Sequence, residues 1–360
     1  MNKEIEKKSI DAIRFLSIDM VQKANSGHPG APMSLAPLAY TLWKDHLIFN
    51  PKEPDWVNRD RFILSAGHAS ALLYSMLHLT GYDLNIEDLK QFRQYGSKTP
   101  GHPENTLTEG VEATTGPLGQ GFSNGVGMAI ASKKINTLNK DLGNHNIYSI
   151  VSDGDLMEGI TSEAASLAGT LKLNNIIYIY DSNKISIEGS TDKAFTENVK
   201  KRFESYDWNV IEIEDSEDCK KISSCISAAK NSNLPSLLIL KSKIGYGSPN
   251  KFDSEKAHGE ALGEEEVKLT REKLGWDYEP FDIPDEIYKH FSEIVNKKND
   301  NYNNLNRDNL SYPPLNLDEN WDSELVNIDA PESISTRDAS GKVLNHLATK
   351  TNLIFGGSAD

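Results

Sequence analysis

The sequence predicts an α/β fold, a doubly wound parallel sheet with helices on both faces. Short apolar runs rich in Ile, Val, Leu and Tyr alternate along the chain with segments of helical periodicity. The clearest unit lies at residues 146–186, where apolar runs at 147–151 and 176–180 flank one helical segment. Such a unit normally forms a right-handed parallel crossover, so both strands end at the same edge of the sheet.

The other elements follow from the same periodicities. Apolar residues at helical spacing predict helices at residues 4–23, 34–47, 69–79, 86–94, 122–134, 217–231, 264–274 and 285–296. Short apolar runs predict further strands at residues 61–64, 208–213 and 236–240. Residues 25–32 hold two glycines and two prolines, so we expect them to lie outside any helix interior.

A length of 360 residues suggests about two domains. We predict a first domain at residues 1–298 and an Asn-rich linker at 299–330, which contains a Pro-Pro pair. Residues 331–360 begin a second α/β domain, with a helix from residue 335 and a strand at 352–355. We expect this second domain to be truncated after these two elements.

The charge balance excludes some partners. The formal net charge is −15, whereas nucleic acids and anionic membrane surfaces require a basic surface. The sequence has no run of 18 apolar residues and no apolar signal core, so we expect a cytoplasmic protein. Cys219 and Cys225 match no common metal-ligand spacing and are expected to be free thiols.

Asp153 and Asn183 each follow one of the two strands of the central unit. Ligands bind at the carboxyl edge of open α/β sheets, so these side chains can converge there. With a backbone carbonyl near Ile185, their oxygens would suit Mg²⁺ that keeps its other positions for phosphate oxygens. The alternative is that both segments are ordinary turns.

Four of the nine histidines lie in glycine-flanked loops: His28, His68, His102 and His258. Glycine allows close approach of a ligand, and histidine can bind phosphate or sugar oxygens and exchange protons near neutral pH. A single such histidine would more commonly be structural or solvated. The recurrence of the same setting favours a shared site.

The glycines at residues 116–121 only weakly resemble a dinucleotide fingerprint. Their spacing is one residue too long and no strand precedes them, so a nucleotide-dependent dehydrogenase is disfavoured. They can let a flat ring or a second subunit lie against the backbone, or simply lead into a helix. Glu158, early in the next helical segment, can be a favourable dipole partner.

Together these segments resemble transketolase, a thiamine diphosphate enzyme. Six motifs occur in the order of that family: ANSGHPG at 24–30, SAGH at 65–68, PGHPE at 100–104, TGPLGQG at 115–121, DG at 153–154 with LMEG at 156–159, and DSN at 181–183 with IS at 185–186. The similarity runs from about residue 4 to the end. The resemblance implies the cofactors thiamine diphosphate and Mg²⁺ or Ca²⁺.

The resemblance also implies residue roles. The metal ligands would be Asp153, Asn183 and the backbone oxygen of Ile185. The cofactor contacts would be His68, Gly116, Pro117, Leu118, Gly154, Glu158, Asn183 and His258, with Glu158 also at a subunit interface. The catalytic and donor-sugar contacts would be His28, His102 and His258. Arg337, in STRDAS at 335–340, would contact the sugar phosphate, and Asp360 would lie at the interface near the cofactor.

The implied reaction transfers a two-carbon ketol group from a ketose phosphate to an aldose phosphate in a homodimer. The family's catalytic glutamate belongs to the pyrimidine-binding domain beyond residue 360, so we expect this chain to need that domain in cis or in trans. Alternatives are deoxyxylulose-phosphate synthase, dihydroxyacetone synthase, or a non-catalytic cofactor-binding subunit.

Two positions depart from the family pattern. Ser152 replaces a glycine, which is tolerable if its φ is negative. Asp155 is acidic where the family often has a small neutral residue, and it could repel a diphosphate. We therefore predict that the Asp155 side chain points away from the site.

Overall fold

A computed structural model of the chain describes residues 3–303, 321–325, 328, 331–352 and 354–357. The chain divides into two compact units, Met1–Leu310 and Ser311–Asp360. Most of the predicted linker at 299–330 lies outside the described residues. The predicted domain boundaries therefore stay a prediction.

The first unit is built on a parallel sheet of five strands in the order β1-β2-β3-β7-β6. Its strands are β1 (Arg61–Leu64), β2 (Ile147–Ser152), β3 (Ile176–Ser182), β6 (Asn209–Ile213) and β7 (Ser236–Lys241). A separate antiparallel pair is formed by β4 (Ile185–Ser186) and β5 (Gly189–Ser190). The predicted doubly wound α/β fold is confirmed.

Twelve α-helices are found in the described part of the chain. They are α1 (Lys3–Ala24), α2 (Gly30–Thr41), α3 (Ser70–Leu79), α4 (Ile86–Lys90), α5 (Gln120–Leu138), α6 (Asp153–Met157), α7 (Gly159–Thr170), α8 (Val199–Ser205), α9 (Cys219–Lys230), α10 (Glu264–Leu274), α11 (Asp285–Asn303) and, in the second unit, α12 (Thr336–Lys350). None of the helices in the described ranges is long and apolar enough to cross a membrane. Both cysteines are free.

Both faces of the sheet are buried. Side chains alternate between the faces along each strand, so Tyr148 and Ile150 pack in the core with α1, α2 and α3. Ile147 and Val151 pack in a second core with α5 and α7. Burial on both sides explains why the strands are continuous apolar runs rather than alternating ones.

The start of α2 was predicted wrongly. The helix begins at Gly30 and includes Pro32 in its first turn, where a missing backbone N–H has no consequence. Pro37 also lies inside the helix and cannot donate to the carbonyl of Met33 four residues earlier. The Nε atom of Arg14 on α1 donates to that carbonyl instead, at 2.8 Å.

Two other predictions need correction. The helix predicted at 86–94 ends at Lys90, because Arg93 adopts a left-handed φ of 61° and its N–H donates to the carbonyl of Thr99. The strand predicted at 352–355 is not found at residues 354–357, and Leu353 lies outside the described residues.

Candidate functional site

The carboxyl ends of four neighbouring strands place the candidate side chains. Strand β1 leads to His68, β2 to Asp153 and β3 to Asn183. Strand β7 leads into the long loop that carries His258. The parallel sheet thus brings these loops to one edge, where α/β proteins bind ligands.

Asp153 is the first residue of α6 and is buried. The Oη atom of Tyr180 donates a hydrogen bond to its Oδ1 atom. Burial raises the pKa of Asp153 to about 7, the Tyr180 hydrogen bond lowers it, and the charge of Asp181 adds to the increase. The negative form of Asp153 is thus disfavoured unless a cation compensates it.

Asn183 is held in one orientation by two hydrogen bonds. Its Nδ2 atom donates to Oδ2 of Asp181 at 2.9 Å, and its Oδ1 atom accepts from the N–H of Ile185 at 2.9 Å. The Oγ atom of Ser242 donates to the other oxygen of Asp181. Burial raises the pKa of Asp181 to about 6.

The three residues predicted to bind a metal lie at the adjacent ends of β2 and β3, where Ser152 pairs with Asp181. In the described ranges, no three His, Cys, Asp or Glu side chains are grouped to hold a metal ion. The predicted metal ligands are one carboxylate, one side-chain amide and one backbone carbonyl, so they are not a group of three such side chains.

His28, His68 and His258 form a triangle. The ring centroids of His28 and His68 are 5.2 Å apart, those of His28 and His258 5.5 Å, and those of His68 and His258 5.4 Å. Burial, followed by the charges of nearby bases, lowers the pKa of His28 to about 4. The same causes hold the pKa of His68 well below its ordinary value. The rings of His28 and His68 are therefore neutral at pH 7.

Glycine allows the loops of His28 and His258 to meet. A Cβ atom on Gly30 would lie 2.4 Å from the carbonyl oxygen of Ala257, and the N–H of Gly245 donates to the carbonyl of Gly30 at 3.0 Å. Any larger residue at position 30 would push the two loops apart.

His102 lies beside this cluster and is exposed. A Cβ on Gly116 would be 3.2 Å from Cγ of His102, and Gly116 has a φ of 143°, which favours glycine. Burial and the charge of Arg93 lower the pKa of His102. The predicted ring-lining loop and the third site histidine are therefore in contact.

Leu118 connects this loop to the acidic side of the site. Pro117 and Leu118 are exposed, and a Cβ on Gly154 would lie 3.0 Å from Cδ1 of Leu118. Glu158 is exposed and lies between α6 and α7 rather than inside one helix. It is next to Gly119, whose added Cβ would be 2.9 Å from Cβ of Glu158.

Asp155 joins three of the site loops. Its Oδ1 accepts from Oγ of Ser65 and from the N–H of Gly119, both at 2.8 Å. Its Oδ2 accepts from the N–H of Ser152 at 2.8 Å and from the Ser152 hydroxyl at 2.9 Å. Ser152 has the negative φ that we expected, −105°. The Asp155 carboxylate is thus bound to protein donors on both oxygens.

Arg337 belongs to the second unit. It lies in the first turn of α12, its side chain is 90% exposed, and its Nε atom is 3.8 Å from Asp338. Asp360 lies outside the described residues.

Four polar residues of the site were not predicted: Arg93, Tyr180, Asp181 and Ser242. Asp181 could have been found, because it follows an apolar run just as Asp153 does. Tyr180 reads as an ordinary core residue of β3, and Ser242 and Arg93 are distant in sequence from the residues they contact. For these three, the sequence carries no local signal.

The chain matches the family described as transketolase, thiamine diphosphate binding domain, over residues 5–318. Transketolase from Bacillus subtilis is 51% identical, the match covering 99% of this chain and 56% of that relative. Transketolase from Geobacillus stearothermophilus is 48% identical, covering 100% of this chain and 57% of the relative. The chain thus spans about half the length of the curated relatives it matches.

Solved structures agree with this match. The crystal structure of transketolase from Campylobacter jejuni has a TM-score of 0.86 and 48% identity, covering 97% of this chain and 56% of that chain. A Pichia stipitis transketolase in complex with sedoheptulose 7-phosphate has a TM-score of 0.80 and 48% identity, covering 83% and 45%. The family match confirms thiamine diphosphate as the cofactor of this type of domain. The chain belongs to the transketolase family, of which it carries the thiamine diphosphate binding domain.

Proposed function

We propose that this chain is the diphosphate-binding part of a transketolase. In that enzyme a two-carbon ketol group moves from a ketose phosphate to an aldose phosphate, and thiamine diphosphate, when bound, supplies the electron sink. The observation that carries the proposal is the meeting of oxygen donors and neutral histidines at one sheet edge. Gly259 lies next to the histidines and to the segment that follows Ile185, since its added Cβ would be 3.5 Å from Nε2 of His28 and 3.6 Å from Cδ1 of Ile187.

The residues present fit the cofactor and its metal. Asp153, Asn183 and the carbonyl of Ile185 offer oxygens only, which suits Mg²⁺ or Ca²⁺ better than a softer metal. The raised pKa of Asp153 leaves its negative charge in need of a cation. In the described part of the chain, the buried Nδ1 of His258 has no hydrogen-bond partner and is free for a ligand.

We assign the remaining roles by the same proposal. His68, Gly154, Asn183 and His258 would hold the diphosphate and its metal, and the loop of Gly116, Pro117 and Leu118 would support the aminopyrimidine ring. His28, His102 and His258 would contact the sugar donor, and Arg337 its phosphate. Neutral imidazoles can donate a hydrogen bond to a sugar oxygen or accept a proton at the unprotonated nitrogen.

The acting enzyme would be a homodimer with a pyrimidine-binding domain supplied in cis or in trans. Support comes from exposed apolar side chains on and next to α7, including Ile160, Leu167 and Leu171, which a partner would cover. Glu158, at the start of the same helix, would lie in that interface. The predicted cytoplasmic location stays a prediction.

Calorimetric titration tests cofactor binding by the chain as it is. We expect thiamine diphosphate to bind in the presence of Mg²⁺ and to bind much more weakly after the metal is chelated. Absence of binding in both conditions, by a chain with a cooperative unfolding transition, would contradict the proposed function.

A second experiment tests catalysis. The chain is mixed with a separately produced pyrimidine-binding domain of a related transketolase, and ketol transfer from sedoheptulose 7-phosphate to an aldose phosphate is measured. Turnover only in the mixture supports the proposal. Cofactor binding without turnover in any mixture would favour the non-catalytic subunit.

A further inference from the structure

Arg93 lies between two loops that carry site histidines. Its Nη1 donates to Oγ of Ser26 at 3.0 Å, and its Nη2 is 3.5 Å from Nδ1 of His28. On the other side, a Cβ on Gly101 would lie 3.1 Å from Nε of Arg93. Glycine just before His102 therefore leaves room for the guanidinium group.

Among the described residues, no carboxylate forms an ion pair with Arg93. Burial lowers the pKa of this arginine, and in the described ranges Tyr74, rather than a carboxylate, opposes that effect. Its buried Nε has no hydrogen-bond partner among the described residues. The chain has a net charge of −15, yet this guanidinium lies beside a histidine and pairs with no carboxylate of the described ranges. A surface ion pair therefore does not explain its position.

The backbone also holds Arg93 in an unusual position. Its φ of 61° is unfavourable for a residue with a Cβ, and the N–H donates to the carbonyl of Thr99 at 2.9 Å. This turn directs the side chain back toward the loop of Ser26 and His28.

The contact selects one form of the His28 ring. A guanidinium has only donors and remains protonated, so the Nδ1 atom that faces it must be the acceptor nitrogen. A neutral imidazole with an acceptor at Nδ1 carries its proton on Nε2. Nε2 points away from Arg93, to within 3.5 Å of a Cβ built on Gly259.

We propose that Arg93 is a positioning residue that holds His28 as the neutral imidazole protonated at Nε2. The groups that face His28 are His258, Arg93 and His102, together with His68, whose ring centroid is 5.2 Å away, and all of them are bases. Each disfavours a second proton on the ring, and burial acts in the same direction.

The chemical consequence rests on the proposed function. With its proton fixed on Nε2, His28 donates a hydrogen bond to an oxygen of the sugar and does not remove a proton there. Loss of Arg93 would let the ring choose the other tautomer, with the acceptor nitrogen facing the ligand.

Nuclear magnetic resonance of the full chain with ¹⁵N-labelled histidine tests the tautomer without cofactor or substrate. Long-range ¹H–¹⁵N spectra distinguish the two nitrogens of each ring, and His28→Gln identifies the His28 signals by their loss. We expect a proton on Nε2 and no titration of His28 until the pH approaches its pKa of about 4. A proton found on Nδ1 in the wild-type chain overturns the proposal, whatever the variants do.

Three variants test the role of Arg93. Arg93→Met should give a mixture of tautomers and raise the His28 pKa, because it removes one of the charges that lower that pKa. Arg93→Lys, which keeps a donor and a charge but loses the planar fork, should give an intermediate result. Lys98→Met is the control, because Lys98 is on the adjacent turn but pairs with Asp83, so His28 should be unchanged.

An unchanged His28 spectrum in a folded Arg93→Met chain would show that the arginine does not select the tautomer. The proposed function can fail separately, since it is tested by cofactor binding and ketol transfer, and these spectra contain neither cofactor nor sugar.

Discussion

The site has an acidic end, formed by Asp153, Asp181 and Asn183, and a histidine end, formed by His28, His68 and His258. At the acidic end each side chain is fixed by a hydrogen bond from a strand or from a strand end, such as that from Tyr180 to Asp153. At the histidine end the rings mainly contact one another.

The two ends therefore depend on different features of the chain. The acidic end is built by strand register, which places Ser152 opposite Asp181, and by side-chain hydrogen bonds. The histidine end is built by glycines that let two loops touch, such as Gly30 against Ala257. We expect substitutions that remove polar atoms to disrupt the acidic end. We expect substitutions that add a side chain to one of these glycines to disrupt the histidine end.

The largest expected effect is at the acidic end. Asp153→Ala removes the only carboxylate of the proposed metal ligands and should weaken binding of thiamine diphosphate with Mg²⁺ more than about a hundredfold, or about 2.7 kcal/mol. Titration calorimetry measures it. Asp192→Ala removes an exposed carboxylate of the short 3-10 helix Thr191–Lys193, which follows β5, and should leave binding unchanged. Equal affinity in the two variants would remove Asp153 from the proposed site.

The sequence predicts much of the acidic end because its signals are local. Asp153 and Asn183 follow apolar runs, and the end of a parallel strand marks the ligand-binding edge whatever the strand order. The order itself, with β7 between β3 and β6, is a result of tertiary packing. This strand order lets Ser242 donate a hydrogen bond to Asp181, although the two residues are 61 positions apart in sequence.

The histidine end was predictable only as a set of loops. Glycine around each histidine indicates close approach but not to which partner. Arg93 and His28 are 65 residues apart in sequence. Arg93 contacts His28 from a left-handed turn after α4, in a segment where hydrophobic periodicity alone predicts that the helix continues. Similarly, α2 tolerates Pro37 because Arg14, on another helix, satisfies the carbonyl of Met33.

Asp155 should matter for stability more than for ligand affinity. Asp155→Ala leaves the donors of Ser65, Gly119 and Ser152 without their acceptor, and we expect the free energy of unfolding to fall by about 2.5 kcal/mol in urea titrations. Asp155→Asn should change the affinity for thiamine diphosphate by less than about tenfold, or 1.4 kcal/mol. If Asp155→Asn tightens the binding of thiamine diphosphate by more than about tenfold, the Asp155 carboxylate faces the diphosphate.

A single methyl group should test the histidine end. Gly30→Ala places a Cβ 2.4 Å from a backbone oxygen, which cannot move without its loop, so we expect a loss of about 2 kcal/mol in the free energy of unfolding. Gly127→Ala is the matched control, because Gly127 lies within α5 with nothing within 4 Å, and it should gain about 0.5 kcal/mol. Equal stability of the two variants would mean that the loops of His28 and His258 are not in tight contact.

The smallest effect is the pH dependence of the histidine end. The folded-state pKa of His28, about 4, is below the ordinary value of 6.5, so its contribution to stability is complete above pH 6.5. As the pH falls toward 4, the unfolded chain takes up a proton that the folded chain does not, and this contribution is lost. Between pH 7 and pH 6 we expect a loss of about 0.5 kcal/mol from this ring, reduced for its partial exposure.

Urea titrations of His28→Gln at both pH values should show a decrease in stability that is smaller by that amount. His46→Gln should reduce the decrease similarly, because the pKa of His46 is also about 4, although it lies away from the site and contacts Ser223. If His46→Gln has this effect and His28→Gln does not, the His28 ring already carries a second proton, and thus a positive charge, at pH 6. The histidine end would then hold a charge that its packing should exclude.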